Sequence, residues 1–228
     1  MDRRTFLKTV PAVTLLAGTK SGFGQELKPI TLVDPQRDGG KSVLAALWDR
    51  KTTRNIGTEK LPAQVLSNLL WAAFGINRPK GPFAGGTGRT AASASNSQEI
   101  DLYVALAEGV YLYDADTHIL KPVAAGDFRR RSGRRAAARA PVNIFYVVDI
   151  AKYAKAPFQE PGLKDPEVQK SYYYVATGLI ASNVYLFAAS QGLAAHFHNC
   201  DKRNTPREFQ LRSDQRVLFS QTVGYPAS

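Results

Sequence analysis

Between Pro62 and Phe74 the apolar residues Val65, Leu66, Leu69, Leu70, Ala73 and Phe74 return every three or four positions, with Gln64, Ser67 and Asn68 between them. The spacing predicts an amphipathic helix with its wetter face on those three polar residues. Pro62 in its first turn and Gly75 just past its end bound it. Residues 42–51 read as a shorter helix. Further on, Ile100, Leu102 and Val104 alternate with Asp101 and Tyr103, and a second apolar stretch, Val110 to Tyr113, follows a break at Glu108-Gly109. Asp114 to Thr117 then turns the chain into Ile119 and Leu120, which predicts an antiparallel meander. The unbroken apolar run Val142 to Val148 predicts a central strand covered on both faces, and Val217 to Val223 a final strand. Residues 79–97, rich in Gly, Ser, Thr and Ala without apolar period, read as a loop. Helices and mixed strands around one apolar centre describe an α+β domain.

Asp165-Pro166-Glu167 opens a long helix that runs to Gly192 with no breaker except Gly178. Tyr172 to Ala189 is 18 residues without a charge, close to the roughly 20 that span a bilayer. Thr177, Ser182, Asn183 and three consecutive tyrosines argue against lipid. A helix apolar nearly all round is expected in a core or a subunit interface, and a central helix with part of its length at a dimer contact is the preferred reading.

The N-terminus orders its residues differently. Asp2-Arg3-Arg4-Thr5-Phe6-Leu7-Lys8 precedes a short apolar run, Val10 to Gly18, and a small-residue site at Gly22-Phe23-Gly24. Charge, apolar stretch and cleavable site in that order describe an export signal. The paired arginines resemble the address read by the twin-arginine translocase, and Lys20 disfavours the general secretory route. The expected organisation is a signal peptide over 1–24, an extension over 25–41 and the domain over 42–228. The protein is expected in the periplasm or otherwise exported, with the translocase as its partner during passage. Removing the signal lowers the formal charge from +11 to +8. Cys200 is the only cysteine, so no internal disulfide can form, in keeping with folding before export.

Arg50, Lys51 and Arg54 with Thr52 and Thr53 place three cations and two hydroxyls at the end of a short helix. They could grip a phosphate or be a solvated helix end. Residues 88–98 concentrate small and amide side chains before a strand, where amides could meet the donor and acceptor edge of a flat heterocycle or simply form a loop. His196, His198 and Cys200 alternate, as metal ligands on one strand would. The surrounding residues do not read clearly as a strand, however, and no metal is expected. His118 is expected to be solvated in its turn. The arginine-dense stretch from Arg129 to Arg139 lacks interleaved aromatics for base stacking, so a solvated basic segment is expected and nucleic acid is not.

The pieces RKTTRN, LLWAAFGINRP, GRTAASASNSQEIDLYVALAEGVYLY, AGDFRR, PVNIFYVVD, GLIASNVYLFAASQGL and VGYP, in that order from about Trp48 to Pro226, resemble the nitroreductase-like flavin oxidoreductases, and within them the SagB-type dehydrogenase branch. The resemblance implies a nitroreductase-like fold, with a central, mainly antiparallel sheet flanked by helices and a long buried central helix. It also implies a homodimer with FMN at the subunit interface and a small-molecule substrate or electron acceptor. By motif, Arg50, Lys51, Thr52 and Arg54 would hold the FMN phosphate and ribityl chain. Ser93, Asn96 and Gln98 would lie by the flavin ring, and the Gly192-Leu193 backbone would approach its reactive edge. Ala92 stands where relatives often have proline, which should loosen that loop. Many relatives also carry basic residues after the last strand, absent here beyond Pro226; Arg203 or Arg207 could replace them. The chemistry implied is ping-pong hydride transfer with no side chain identified as acid or base. An exported location makes NAD(P)H a poor donor. The alternative is a non-catalytic flavin- or ligand-binding protein on the same fold.

Overall fold

The computed structural model describes residues 26–133 and 137–227. The signal-peptide expectation over 1–24 lies outside them, as do Arg134 and Arg135. Nine strands and four α-helices form among the described residues: β1 (Ile30–Thr31), α1 (Val43–Asp49), α2 (Ala63–Phe74), β2 (Ile76–Arg78), β3 (Gly88–Arg89), β4 (Ile100–Ala105), β5 (Gly109–Asp114), β6 (Ile119–Ala125), β7 (Val142–Asp149), α3 (Pro166–Ser190), β8 (Ala194–His198), α4 (Thr205–Glu208) and β9 (Gln215–Gly224). Seven strands make one sheet in the order β1-β6-β5-β4-β7-β9-β8, and every neighbouring pair is antiparallel.

All eight residues of β7 are buried, as its unbroken apolar run requires of a strand with protein on both faces. It pairs with β4 from Asn143 opposite Ala105 to Val148 opposite Ile100, and with β9 on its other side. The two faces are covered unequally. Leu66, Leu69, Leu70 and Phe74 of α2, with Ile180, Ala181 and Val184 of α3, pack on Leu102, Val104, Ile144 and Tyr146. Each such aliphatic side chain, wholly removed from water, contributes about 1.5–3 kcal/mol. On the opposite face Phe209, just after α4, stacks against Tyr103 and meets Phe145 edge-on, beside short helical turns at residues 129–132 and 137–139.

α3 starts on Asp165, whose carboxylate accepts from the backbone N–H of Glu167 (2.9 Å) and Val168 (3.4 Å). One face is buried, through Tyr173, Ala176, Thr177, Ile180, Ala181, Val184 and Ala188. Thr177 enters this apolar row because its hydroxyl bonds back to the Tyr173 carbonyl at 2.7 Å. The other face exposes Tyr174, Val175 and Leu179. Among the described residues no helix is long and apolar enough to cross a membrane.

One expectation changes at the N-terminal side. The segment read as an extension contributes β1, paired with β6, and buries Leu32. It then crosses the face of α2 expected to be wet. There Ser67 is buried and donates to the Val33 carbonyl, while Asn68 accepts from the Gln36 backbone N–H at 2.9 Å. The stretch 79–97 is not structureless: β2 and β3 pair as a small ribbon, and Phe83 at its tip stacks on Phe158 at 5.0 Å.

Candidate functional site

At the C-terminal end of α3 a cavity of about 380 Å³ opens between that helix, the chain leaving α1 and the start of β8. α1 is begun by Ser42, whose hydroxyl accepts from Ala45 N–H (3.3 Å), and is closed by Arg50, whose N–H returns to the Ala46 carbonyl (2.8 Å). Beyond it the backbone straightens, and Thr53 N–H reaches the Ala195 carbonyl at 2.9 Å, so Lys51 and Thr53 form one wall with Ala195. On the other side α3 ends in a turn in which Leu193 N–H bonds to the Ala188 carbonyl at 2.8 Å. Gly192 takes φ +69° there with open space around it, a conformation a side chain would strain. This turn sets Gly192 and Leu193 on the cavity rim.

Tyr185 ties the walls together. Its hydroxyl accepts from Phe197 N–H at 2.8 Å and lies 3.0 Å from Thr52 Oγ1, while the Arg50 guanidinium sits over its ring at 5.6 Å. Lys41 and Asp49, also at the cavity, pair at 2.5 Å, which neutralises the carboxylate and leaves Lys51 to set the sign of the charge. Of the residues singled out by sequence, Lys51, Gly192 and Leu193 therefore line one cavity. Thr52 and Arg50 adjoin it through Tyr185, and Arg54 is exposed outside its lining. Tyr185 itself carried no signal in the sequence beyond its place in an uncharged run.

Ser93, Asn96 and Gln98 do not line that cavity. They form a knot of their own. Ser93 Oγ accepts from Gln98 N–H (3.0 Å), Asn96 Nδ2 donates to the Thr87 carbonyl (3.1 Å), and Gln98 Nε2 donates to the same carbonyl (2.8 Å) and to Asn96 Oδ1 (3.2 Å). Arg89, which sequence reasoning passed over, donates from Nε to Gln98 Oε1 at 2.7 Å and lies over the Phe74 ring. Burial pulls its guanidinium below the usual arginine range, against the pull of Asp116, Tyr113, Asp101 and Asp114. The loop is tied to α3 by Asn183, which donates to the Thr90 carbonyl at 3.2 Å. Despite alanine at position 92, it is closely held.

Three minor readings are corrected by their surroundings. The His196 and His198 segment is a strand, β8, stabilised by pairing with β9. The two rings stand 4.7 Å apart, and His198 Nε2 meets Thr222 Oγ1 at 2.8 Å. Burial pushes the Cys200 thiol up to about 12, against the pull of Lys202, and among the described residues no cluster of three metal-ligating side chains forms. His118 is not simply solvated, because Ser67 Oγ (2.7 Å) and the Tyr113 hydroxyl (3.0 Å) hold its two nitrogens. The arginine stretch is partly structural. Arg131 bonds Glu208 and Asp201, and Arg129 bonds Asp127 at 2.7 Å and the Ala140 carbonyl at 3.0 Å, pinning the segment over the sheet.

Residues 47–225 match the nitroreductase family. No curated protein matches the chain. Among solved structures, a protein of Ralstonia eutropha JMP134 assigned as a nitroreductase is 32% identical over 98% of this chain and 97% of that one, with a TM-score of 0.78. Two others share the fold alone. An Anabaena variabilis protein assigned likewise is 17% identical over 90% of this chain and 42% of its own, with a TM-score of 0.68. The Escherichia coli microcin synthetase McbBCD complex gives 16% identity over 99% and 85%, with a TM-score of 0.63. With the family match spanning most of its length and a relative aligned from end to end, the chain belongs to the nitroreductase family of flavin-dependent oxidoreductases.

Proposed function

We propose that the protein is an exported, homodimeric FMN-dependent oxidoreductase of the SagB-type dehydrogenase branch, working by a ping-pong mechanism on a small-molecule donor and acceptor. The observation that carries this reading is the convergence of Lys51, Gly192 and Leu193, drawn from distant parts of the sequence, on one cavity. The side chains there suit a phosphorylated cofactor. Lys51 supplies an ammonium, Thr52 and Thr53 supply hydroxyls, Arg50 is held close by Tyr185, and the one carboxylate is already paired with Lys41. Arg54 lies one step further along the same wall. Bound FMN supplies a two-electron redox centre.

This chain's residues anchor the phosphate, orient the ring and exclude water, and none is assigned as a general acid or base. α1 exposes Leu44 (80%) and Trp48 (91%), and α3 exposes Val175 and Leu179. Surfaces this apolar are covered in most soluble proteins, and a second copy would cover both helices at once. Across such an interface Ser93, Asn96 and Gln98 would meet the ring from the partner's side or their own. The N-terminal residues 1–24 act as a twin-arginine signal ahead of the 25–41 extension and the 42–228 domain. A route that carries folded proteins suits a domain that must trap its cofactor first. Outside the cytoplasm, an organic donor with a quinone or redox-protein acceptor fits better than NAD(P)H.

The test is the visible spectrum of the protein purified from the exported fraction. The expected result is a yellow protein whose flavin bleaches with a reductant and recovers with a quinone or nitroaromatic. Lys51→Ala should weaken FMN retention at least tenfold. A colourless protein that takes up no added FMN overturns the proposal.

A further inference from the structure

The segment ahead of α1 is laid down as a strap. Gln36 N–H donates to Asn68 Oδ1 and Gln36 Oε1 accepts from Asn68 Nδ2, each at 2.9 Å, and Gln64 Nε2 donates to the Asp34 carbonyl at 2.9 Å. These bonds hold residues 34–36 on α2. Gly39 and Gly40 follow at φ +109° and +72°, a turn that other residues rarely make. It delivers Lys41 to the end of α3, where its backbone N–H bonds the Ser190 carbonyl at 3.1 Å. With its main chain fixed there, Lys41 lines the same cavity of about 380 Å³ as Lys51, Gly192 and Leu193. It does so from outside the family-matched span, which begins at residue 47.

A phosphate monoester carries about −1.5 to −2 charges near neutral pH, more than Lys51 alone balances. Arg203 and Arg207, the cations the sequence offers for a further contact, do not line the cavity, whereas Lys41 does. The Lys41 ammonium has three N–H donors. Asp49 Oδ2 takes one of them at 2.5 Å, which keeps the ammonium beside the cavity and leaves two donors for a ligand. Both side chains of that pair are about half exposed, 49% and 43%, where an ion pair is weak and gives way to a more highly charged partner. With Lys41 counted, the lining sets two ammoniums against one carboxylate.

We propose that Lys41, brought in by the strap, is a second cation for the phosphate of the bound cofactor. This rests on the reading that the cavity at Lys51 holds a phosphorylated flavin. Residues 34–41 then belong to the binding site rather than to a spacer ahead of the domain, and they favour the phosphorylated cofactor over the same flavin without its phosphate.

The experiment compares FMN with riboflavin, which keeps the ring and the ribityl chain but has no phosphate. Each is titrated into the full chain after its flavin has been dialysed away, and binding is followed by flavin fluorescence. Lys41→Gln should weaken FMN binding about tenfold, the loss of one charge-assisted contact, and leave riboflavin binding unchanged. Lys41→Arg, which keeps the charge, should bind FMN as the wild type does, and the advantage of FMN over riboflavin should shrink as salt is raised. A Lys41→Gln protein that binds FMN like the wild type overturns the inference and leaves the flavin reading standing. A variant that loses FMN and riboflavin alike also overturns it, because Lys41 then only supports the cavity wall. A wild-type protein that takes up neither flavin ends the flavin reading, and inorganic phosphate is then titrated calorimetrically. Phosphate binding that disappears in Lys41→Gln upholds the anion-binding role of Lys41. Phosphate binding that persists in the variant, or none to the wild type, overturns it.

Discussion

Glu99 is completely buried where the 93–98 loop enters β4. Its Oε2 accepts from Ser97 Oγ at 2.6 Å, and its Oε1 has no hydrogen-bond partner. Burial pushes this carboxyl above the usual carboxylate range, against the opposing pull of Ser97, its own backbone, Tyr153 and Lys152. The folded state then holds a proton that the unfolded chain releases near its ordinary pKa of about 4.3. The stability this gives is complete below that value and is lost as pH rises through the folded one. Glu99→Gln should therefore melt with the wild type near pH 4 and above it at pH 8, measured by calorimetry. A variant that melts lower at pH 8 would show an ionised, paired carboxylate instead. At this scale the sequence was a poor guide. His118 was unreadable because its partners Ser67 and Val33 lie 51 and 85 residues away. The amides of Asn96 and Gln98 were visible as candidates, but not their engagement with the Thr87 carbonyl and Arg89, because that depends on a backbone with positive φ at Ser95, Asn96 and Gln98 that the sequence does not signal.

The helices and long strands were far more legible. α2 and β7 follow from the period of their apolar residues, since burial on one face or on two leaves a different pattern. The opening of α3 was legible too, because Asp165, Pro166 and Glu167 each suit one position of a helix start. Replacing Asp165 with alanine should cost about 1 kcal/mol, a fall of about 2–4 °C in Tm for a protein of this size, read by thermal denaturation. No loss would mean that Pro166 alone sets the helix start. What the composition of α3 could not show is its division into a face packed on the sheet and a face left open, since both are uncharged. β8 was missed because two histidines interrupt its apolar run, and its pairing with β9 stabilises it regardless.

At the scale of the molecule, α1 and α3 both leave large apolar residues exposed, Leu44 and Trp48 on one and Val175 and Leu179 on the other. Leu179→Glu puts a carboxylate on that surface, and a two-fold axis would bring a second copy of the charge against it. Sedimentation should show the wild type as a dimer and the variant as a monomer, with helix content intact by circular dichroism and flavin lost on dilution. A wild-type monomer that keeps its flavin would rule out a shared site. The Tyr185 hydroxyl, bonded at once to β8 and close to Thr52, bears on how such a protein can change over evolutionary time. Loss of Thr52 leaves the phenol its bond to β8, whereas loss of Tyr185 removes both contacts at once, so along a lineage Thr52 should change more readily than Tyr185. Relatives without this tyrosine should have rebuilt the mouth of the cavity.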